Sequence, residues 1–303
     1  TKKMKYAPIA IFAYNRLNEI KLVIESLKKN KFIDKSKIYV FLDGPKNDYD
    51  RKKNEQIKFF LNYKSNLKNA KILQNKKNLG LKKNINKGLN YIFKKYEKSI
   101  IIEDDILVSP NFLEVMNFYL TYYSNNSRVC SIEGYMYPIE FKDEINEVFL
   151  LKGTGGWGWG TWRRAWKNYS NNRNKLISKL ENMGSNAIND FNYKNSYNYF
   201  KILKENKNSW AINWYPSNFI KKKYTVFFKN SLVKNIGFGN SATHTIIDYK
   251  LNVKKFKKKH KIFVPKNMEE NNNAKKQISL FLKKKFNTFN KLKLKLKYLL
   301  NVK

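Results

Sequence analysis

From residue 6 to residue 129 the chain alternates short, unbroken apolar runs with amphipathic stretches. Pro8-Ile-Ala-Ile-Phe-Ala13 is apolar at every position, the signature of a strand covered on both faces. The next segment sets Leu17, Ile20, Val23, Ile24 and Leu27 on one face of a helix. Lys37-Ile-Tyr-Val-Phe-Leu42 reads as a second strand, stopped by Asp43-Gly44-Pro45. A helix from about Tyr49 to Tyr63 follows, then a shorter strand, Lys71-Ile-Leu-Gln74, and a helix from Leu81 to Tyr96. Ser99-Ile-Ile-Ile102 is the fourth strand and ends in Glu103-Asp104-Asp105. Strands alternating with helices require right-handed crossovers and a parallel sheet, so the fold class is α/β.

After Asp105 the pattern predicts a helix capped by Ser109, with Pro110 at its first position and Phe112, Leu113, Met116 and Leu120 on its buried face. Past Val129 the alternation ends. The stretch from Gly153 to Trp214 is rich in aromatic residues and Asn and holds all six tryptophans. Tyr224 to Val233 reads as strand again. Near residue 248 the composition changes, since residues 250–303 carry 18 Lys against only Glu269 and Glu270. The chain therefore divides into residues 1–248 and a Lys-rich amphipathic tail, 249–303. The larger part splits into halves, 1–129 and 130–248. In the tail Ile278, Leu282, Phe286, Phe289, Leu292, Leu296 and Leu299 form a helical stripe among lysines, a pattern suited to an anionic membrane surface. A helix packed on the protein's own surface is the alternative.

Composition narrows the classes. Of the 303 residues 42% are hydrophobic, enough for a large core and too many for global disorder. The net charge of +39 favours polyanionic partners such as anionic headgroups, phosphorylated glycans or nucleic acid. Joint enrichment in Lys, Asn and Ile also follows from AT-rich codon usage, so charge alone decides little. Cys130 is the only cysteine; it lies in an apolar stretch, reads as a core residue, and fits a reducing compartment. No apolar run approaches a membrane span and no signal peptide is visible, although the chain begins at Thr1 rather than Met. A cytoplasmic protein, peripheral on the inner face of the cytoplasmic membrane, is expected.

In parallel sheets ligands bind beyond the carboxyl ends of the strands. Three of the four strands deliver distinctive residues there: Asn15-Arg16, Asp43-Gly44 and Glu103-Asp104-Asp105. Three carboxylates beside an apolar core repel one another unless water or a cation compensates. Hard oxygen donors suit Mg²⁺ or Mn²⁺, which would take up the charge of a departing diphosphate. Asp43 can accept from a base or ribose, although turn chemistry alone also explains Asp-Gly-Pro. Gly80, in Asn78-Leu-Gly80-Leu-Lys-Lys-Asn84, ends a loop where a helix begins, and helix-start amides can face an anion.

The order and spacing of these motifs resemble the nucleotide-binding half of GT-A fold glycosyltransferases of the family 2 type. Glu103-Asp104-Asp105 followed by Ser109-Pro-Asn-Phe-Leu113 is also similar to the N-acetylglucosaminyltransferase I family. The resemblance spans residues 6 to 245. It implies transfer of a hexosyl or N-acetylhexosaminyl group from a nucleotide-diphosphate donor, with UDP favoured. The acceptor would be a glycan or lipid-linked glycan of bacterial surface polysaccharide or lipooligosaccharide, with inversion. It implies that Asn15, Arg16 and Asp43 hold the nucleoside, with Gly80 and Asn84 on the donor side. Glu103 and Asp104 would lie against ribose and sugar, and Asp105 would bind the metal. Gly153-Thr-Gly-Gly-Trp-Gly-Trp-Gly160 looks like the acceptor-side segment of bacterial relatives, where Trp157 and Trp159 would offer flat faces to sugar C–H surfaces. Trp210, in Ser209-Trp-Ala-Ile-Asn-Trp214, would border the site. Asn235 to His244 looks like a closing loop whose His244 would complete the metal site or contact the diphosphate. His260 reads as part of the basic tail. Relatives place a carboxylate base just before Ser209; this chain has Asn208, which cannot take a proton. Glu133 is the first substitute, Glu205 the second and Asp190 the third.

A non-enzymatic polyanion or nucleic-acid binder is the competing reading, since aromatic residues interleaved with lysines can stack bases. Three carboxylates at a strand end would repel phosphates, so no nucleic-acid partner is expected. A sugar-nucleotide pyrophosphorylase would need a Gly-rich loop after the first strand, and Tyr14-Asn-Arg-Leu-Asn18 has no glycine.

Overall fold

The computed structural model describes residues 6–65, 67, 70–142, 145–205, 209–237, 251, 253, 260–265 and 267–286. The first half follows the apolar pattern closely. β1 (Ile9–Ala13), α1 (Leu17–Lys28), β2 (Ile38–Leu42), α2 (Asp48–Phe59), β3 (Ala70–Gln74), α3 (Leu81–Lys95) and β4 (Lys98–Glu103) appear in the expected order. α2 runs on into a π-helical turn, Phe60–Lys64. β1 and β2 are buried at every residue, as unbroken apolar runs require. β1 lies between β2 and β4, parallel to both, and β2 pairs in parallel with β3. Gly88 brings α3 down onto the rings of Phe12 and Phe41, where a Cβ would collide.

The second half turns antiparallel. A short β5 (Ile106–Val108) leads to α4 (Phe112–Tyr122), then β6 (Val129–Glu133), β7 (Val148–Leu151) and β8 (Trp159–Trp162). Helices α5 (Arg163–Trp166), α6 (Arg173–Asn182), α7 (Ser185–Phe191), α8 (Tyr199–Glu205) and α9 (Ala211–Phe219) follow, then β9 (Tyr224–Phe228) and β10 (Val233–Asn235). One eight-stranded sheet results, in the order β3-β2-β1-β4-β8-β6-β9-β7, while β5 and β10 form a separate antiparallel pair. β8 joins the halves by pairing antiparallel with both β4 and β6. This is the GT-A arrangement: a mainly parallel sheet flanked by helices.

α4 departs from expectation at its start. Asn111 stands at the cap position and makes no side-chain cap bond. Ser109 is buried instead, its amide on Leu232 and its carbonyl accepting from Asn30 at 2.9 Å.

The tail also departs from expectation. α10 (Asn272–Phe286) buries Ala274, Ile278, Leu282 and Phe286 in a second apolar cluster with Leu176, Leu180, Phe191 and Leu203. Three residues of the stripe assigned to a membrane are therefore packed on the protein itself, worth about 1.5–3 kcal/mol each. Phe289, Leu292, Leu296 and Leu299 lie outside the described residues. Lys275, only 2% exposed, reaches Asp190 at 2.5 Å and Glu270 at 3.1 Å. Glu270 also accepts from Lys152, so this network ties α10 to the body. His260 is buried beside Phe228 rather than solvated among lysines, and its carbonyl accepts from Asn111. Cys130 is buried, as read from the sequence. No helix of the described residues is long and apolar enough to cross a membrane.

Candidate functional site

Parallel pairing with Ala13 beside Leu42 and Phe12 beside Glu103 makes β1, β2 and β4 end at one rim of the sheet. The three sequence motifs therefore leave the sheet together. Backbone bonds lock them, with Asp43 N on Ala13 O at 2.8 Å and Asp104 N on Phe12 O at 2.9 Å.

The acid cluster is knitted to the segment after β1. Tyr14 N donates to Asp104 Oδ2 at 3.0 Å, and Arg16 Nη1 lies 2.6 Å from Asp105 Oδ2 and 4.0 Å from Asp104 Oδ1. Burial, then the neighbouring Asp105 charge, raises Asp104 above the usual carboxylate range; Arg16 and the Tyr14 amide oppose it. Glu103 is raised well above that range by burial and by Asp105 and Asp104, against Arg16 and a hydrogen bond from the Trp210 indole. Gly237 packs against the Arg16–Asp105 pair so closely that a Cβ there would overlap Asp105, and Ile236 N donates to Asp105 O at 2.8 Å.

These acids fit a divalent cation in donor chemistry: the oxygens are hard, adjacent and mutually repelling. The Arg16 guanidinium already brings one positive charge to Asp104 and Asp105. Among the described residues no three His, Cys, Asp or Glu side chains converge to hold a metal by themselves. Further ligands would have to come from elsewhere, the substrate diphosphate included. His244 and Asn208 lie outside the described residues.

Several expected site residues turn out to build the rim rather than face a ligand. Asp43 is buried, and its carboxylate accepts from the amides of Gly44, Leu79 and Gly80, each at 2.9 Å, and from Asn75 Nδ2 at 3.1 Å. These bonds fix the loop that leads into α3. Asn84 is buried too, donating to Phe41 O and accepting from Asn75. Gly80 has φ +75 and ψ 154, backbone that only glycine adopts readily, with open space where a Cβ would stand.

The tryptophans divide likewise. Trp159, on β8, has no exposed surface and is enclosed by Trp166, Trp210 and Trp214. Trp210 is 3% exposed, stacks on Trp159 at 5.1 Å and turns its indole to Glu103. Both rings are core, stacked on each other where α9 begins against the face of β8. Trp157 alone of the three is part-exposed, edge-on to Tyr135 at 4.7 Å.

Glu133 ends β6 with no exposed surface, and burial raises it well above the carboxylate range despite the amides of Tyr135, Gly155 and Trp157. It lines a closed cavity of ≈ 40 Å³ with Tyr137, Thr154, Tyr193, Tyr199 and Tyr215. A Cβ on Gly155 would overlap its carboxyl, and one on Gly156 would press on Trp210. The glycine segment therefore lies over both residues. Burial of this kind favours the protonated form, and Glu133 lies beneath the glycine segment. Glu205 is exposed on α8, 3.7 Å from Lys201, and Asp190 is taken by Lys275. Asp50, which no sequence signal marks, bonds both Tyr14 and Asn15.

The family described as glycosyl transferase family 2 matches residues 9–225. The solved structure of GalNAc-T7 with UDP, GalNAc and Mn²⁺ is similar over 56% of this chain at 11% identity and TM-score 0.39. This chain covers 37% of that one, little more than a third of its length. UDP-glucose pyrophosphorylase complexed with UDP-glucose is similar over 73% of this chain and 90% of the other, at 12% identity and TM-score 0.36. Likenesses this distant carry no argument about substrate. No curated protein matches the chain.

Proposed function

This chain belongs to glycosyl transferase family 2, and on that premise we propose that it transfers a hexosyl or N-acetylhexosaminyl group from a UDP-sugar to a glycan or lipid-linked acceptor, with inversion. The observation that carries the reading is the single rim where β1, β2 and β4 end, with Tyr14 on Asp104 and Arg16 on Asp105. A donor nucleotide would lie along the segment from Tyr14 to Arg16, with the Asp43-anchored loop at its side. The acceptor hydroxyl would attack the anomeric carbon as the bond to the diphosphate breaks. Arg16 would bring positive charge to the departing oxygens. Asp105 would hold Mg²⁺ or Mn²⁺, which when bound neutralises charge on the leaving diphosphate, while Asp104 would lie against the ribose and sugar. Trp157 and the part-exposed glycine segment beside it form the acceptor side in this reading.

A place in bacterial surface polysaccharide or lipooligosaccharide assembly, at the inner face of the cytoplasmic membrane, is part of the proposal. It is supported by the +39 charge, which favours anionic surfaces. A polyanion binder without catalysis would have no use for the acid rim.

Thermal unfolding with UDP plus Mn²⁺, with each alone, and with single-stranded oligonucleotide tests the reading by mass action. Stabilisation by the pair beyond the sum of the parts, lost in Asp105→Ala, is expected. Stabilisation by oligonucleotide alone would overturn it.

A further inference from the structure

Asp50 lies in the first turn of α2, where a carboxylate suits the helix start, and it is buried. Both of its oxygens serve the segment that leaves β1. Oδ1 accepts from Asn15 Nδ2 at 2.7 Å; Oδ2 accepts from the Tyr14 hydroxyl and from Lys46 N at 3.3 Å. Asn54, one turn further along α2, donates to the Tyr14 carbonyl. Asn15 is thus flanked by Tyr14, bonded to Asp104, and Arg16, paired with Asp105. It is part-exposed at the acid rim.

Burial pushes Asp50 up, but the hydrogen bonds from Tyr14, Asn15 and Lys46 outweigh it and hold the carboxyl below its ordinary value. An ionised carboxylate only accepts, so the Asn15 amide must meet it through its NH₂. The amide is planar, and fixing the NH₂ on Asp50 aims Oδ1 the other way. Asp43, the acceptor at the end of β2, is occupied by three backbone amides and Asn75.

We propose that Asp50 is a positioning residue that fixes Asn15 as a hydrogen-bond acceptor at the nucleotide rim, so that the site takes nucleoside diphosphates whose base carries a ring N–H, as uracil does, and rejects cytosine. The inference rests on the transferase reading above and adds the residues that would select its base. Uracil presents N3–H to Asn15 Oδ1. Cytosine presents a bare N3, and two acceptors would face each other with neither satisfied.

Calorimetric titration of the full chain with UDP and with CDP, each with Mg²⁺, reads the preference. UDP is expected to bind on the order of 10- to 100-fold tighter than CDP. In Asp50→Asn the Asn15 amide is free to turn, and the ratio should fall to within about threefold. A merely structural Asp50 would weaken both nucleotides alike, and an unchanged ratio would overturn the proposal. If Asp50→Asn does not fold, Asn15→Ala at its part-exposed position gives the same comparison, with the same two outcomes. Equal binding of UDP and CDP by the wild type overturns the base preference and leaves the transferase reading standing. Binding of neither removes the transferase reading and this inference with it.

Discussion

Replacing Glu133 by Gln separates a buried acid from a catalytic base. Burial raises Glu133 well above the carboxylate range, so the folded protein keeps a proton that the unfolded chain has released above its ordinary value of about 4.3. Where the native state binds more protons than the unfolded state, stability falls as pH rises. The fall is about 1.4 kcal/mol per pH unit and continues until Glu133 ionises in the folded state. Glutamine has no proton to lose. The stability of Glu133→Gln relative to wild type should therefore improve as pH rises above about 5, by at most about 1.4 kcal/mol per pH unit, until Glu133 ionises in the folded protein. Glu103 and Asp104 are raised too, but they are present in both proteins and cancel in the difference. Placing an NH₂ beside the amides of Tyr135, Gly155 and Trp157 adds a fixed offset and leaves the slope alone. Urea denaturation of both proteins across pH 5 to 8 measures the difference, and a transfer assay at neutral pH should show less than a tenfold loss of rate. A pH-independent difference, together with a hundredfold loss of rate, would mean that Glu133 is ionised and acts as the base.

Other residues at the rim and in α10 give sharper structural tests. Asp43→Ala leaves the amides of Gly44, Leu79 and Gly80 without their acceptor and should cost roughly 3–5 kcal/mol in urea denaturation; a cost under about 1 kcal/mol would contradict its role as the anchor of the α3 start. Gly80→Ala meets no atom within 4 Å, so its cost is backbone strain alone, about 1–3 kcal/mol, and a neutral result would refute the positive φ. Lys275→Met leaves Glu270 with Lys152 alone and Asp190 to solvent, and should destabilise by about 1–3 kcal/mol, read as a lowered melting temperature; an unchanged melting temperature would show that α10 is not held through this network.

The elements legible in the sequence are those whose pattern is local. β1, β2 and β4 fall within one residue of their expected ends, because unbroken apolar runs stop at polar triplets or turn residues. The shared rim follows from parallel topology and was legible with them. β8 was not, since Trp-Gly-Thr-Trp inside a glycine-rich stretch carries no alternation, and it is a strand because β4 and β6 leave a gap for one. Asp43 and Asn84 misled for a related reason. Their partners lie 36, 37 and 43 residues away, and a buried carboxylate capping a distant loop looks in sequence like one waiting for substrate. His260 and the tail stripe were hidden by their lysine neighbours, which predict solvent wherever tertiary packing is invisible.

Charge balance explains why the acids hold most of the information in this chain. It carries 62 Lys and Arg against 23 Asp and Glu. Among the described residues Asp43, Asp50, Asp104, Asp105 and Glu133 are buried, against a single lysine, Lys275. A solvated lysine costs the fold almost nothing and therefore tolerates drift in composition. A buried carboxylate must be hydrogen-bonded, paired or protonated, and each of these five is held in one of those ways. Asp43 takes backbone amides, Asp50 takes Tyr14 and Asn15, Asp105 takes Arg16, Asp104 takes the Tyr14 amide, and burial pushes Glu133 toward its protonated form. Four of the five bear on the segment Tyr14–Arg16 or on the loop that begins α3. Substituting surface lysines should leave that rim intact, whereas a change at any one of these four acids disturbs the place where the donor nucleotide is proposed to lie.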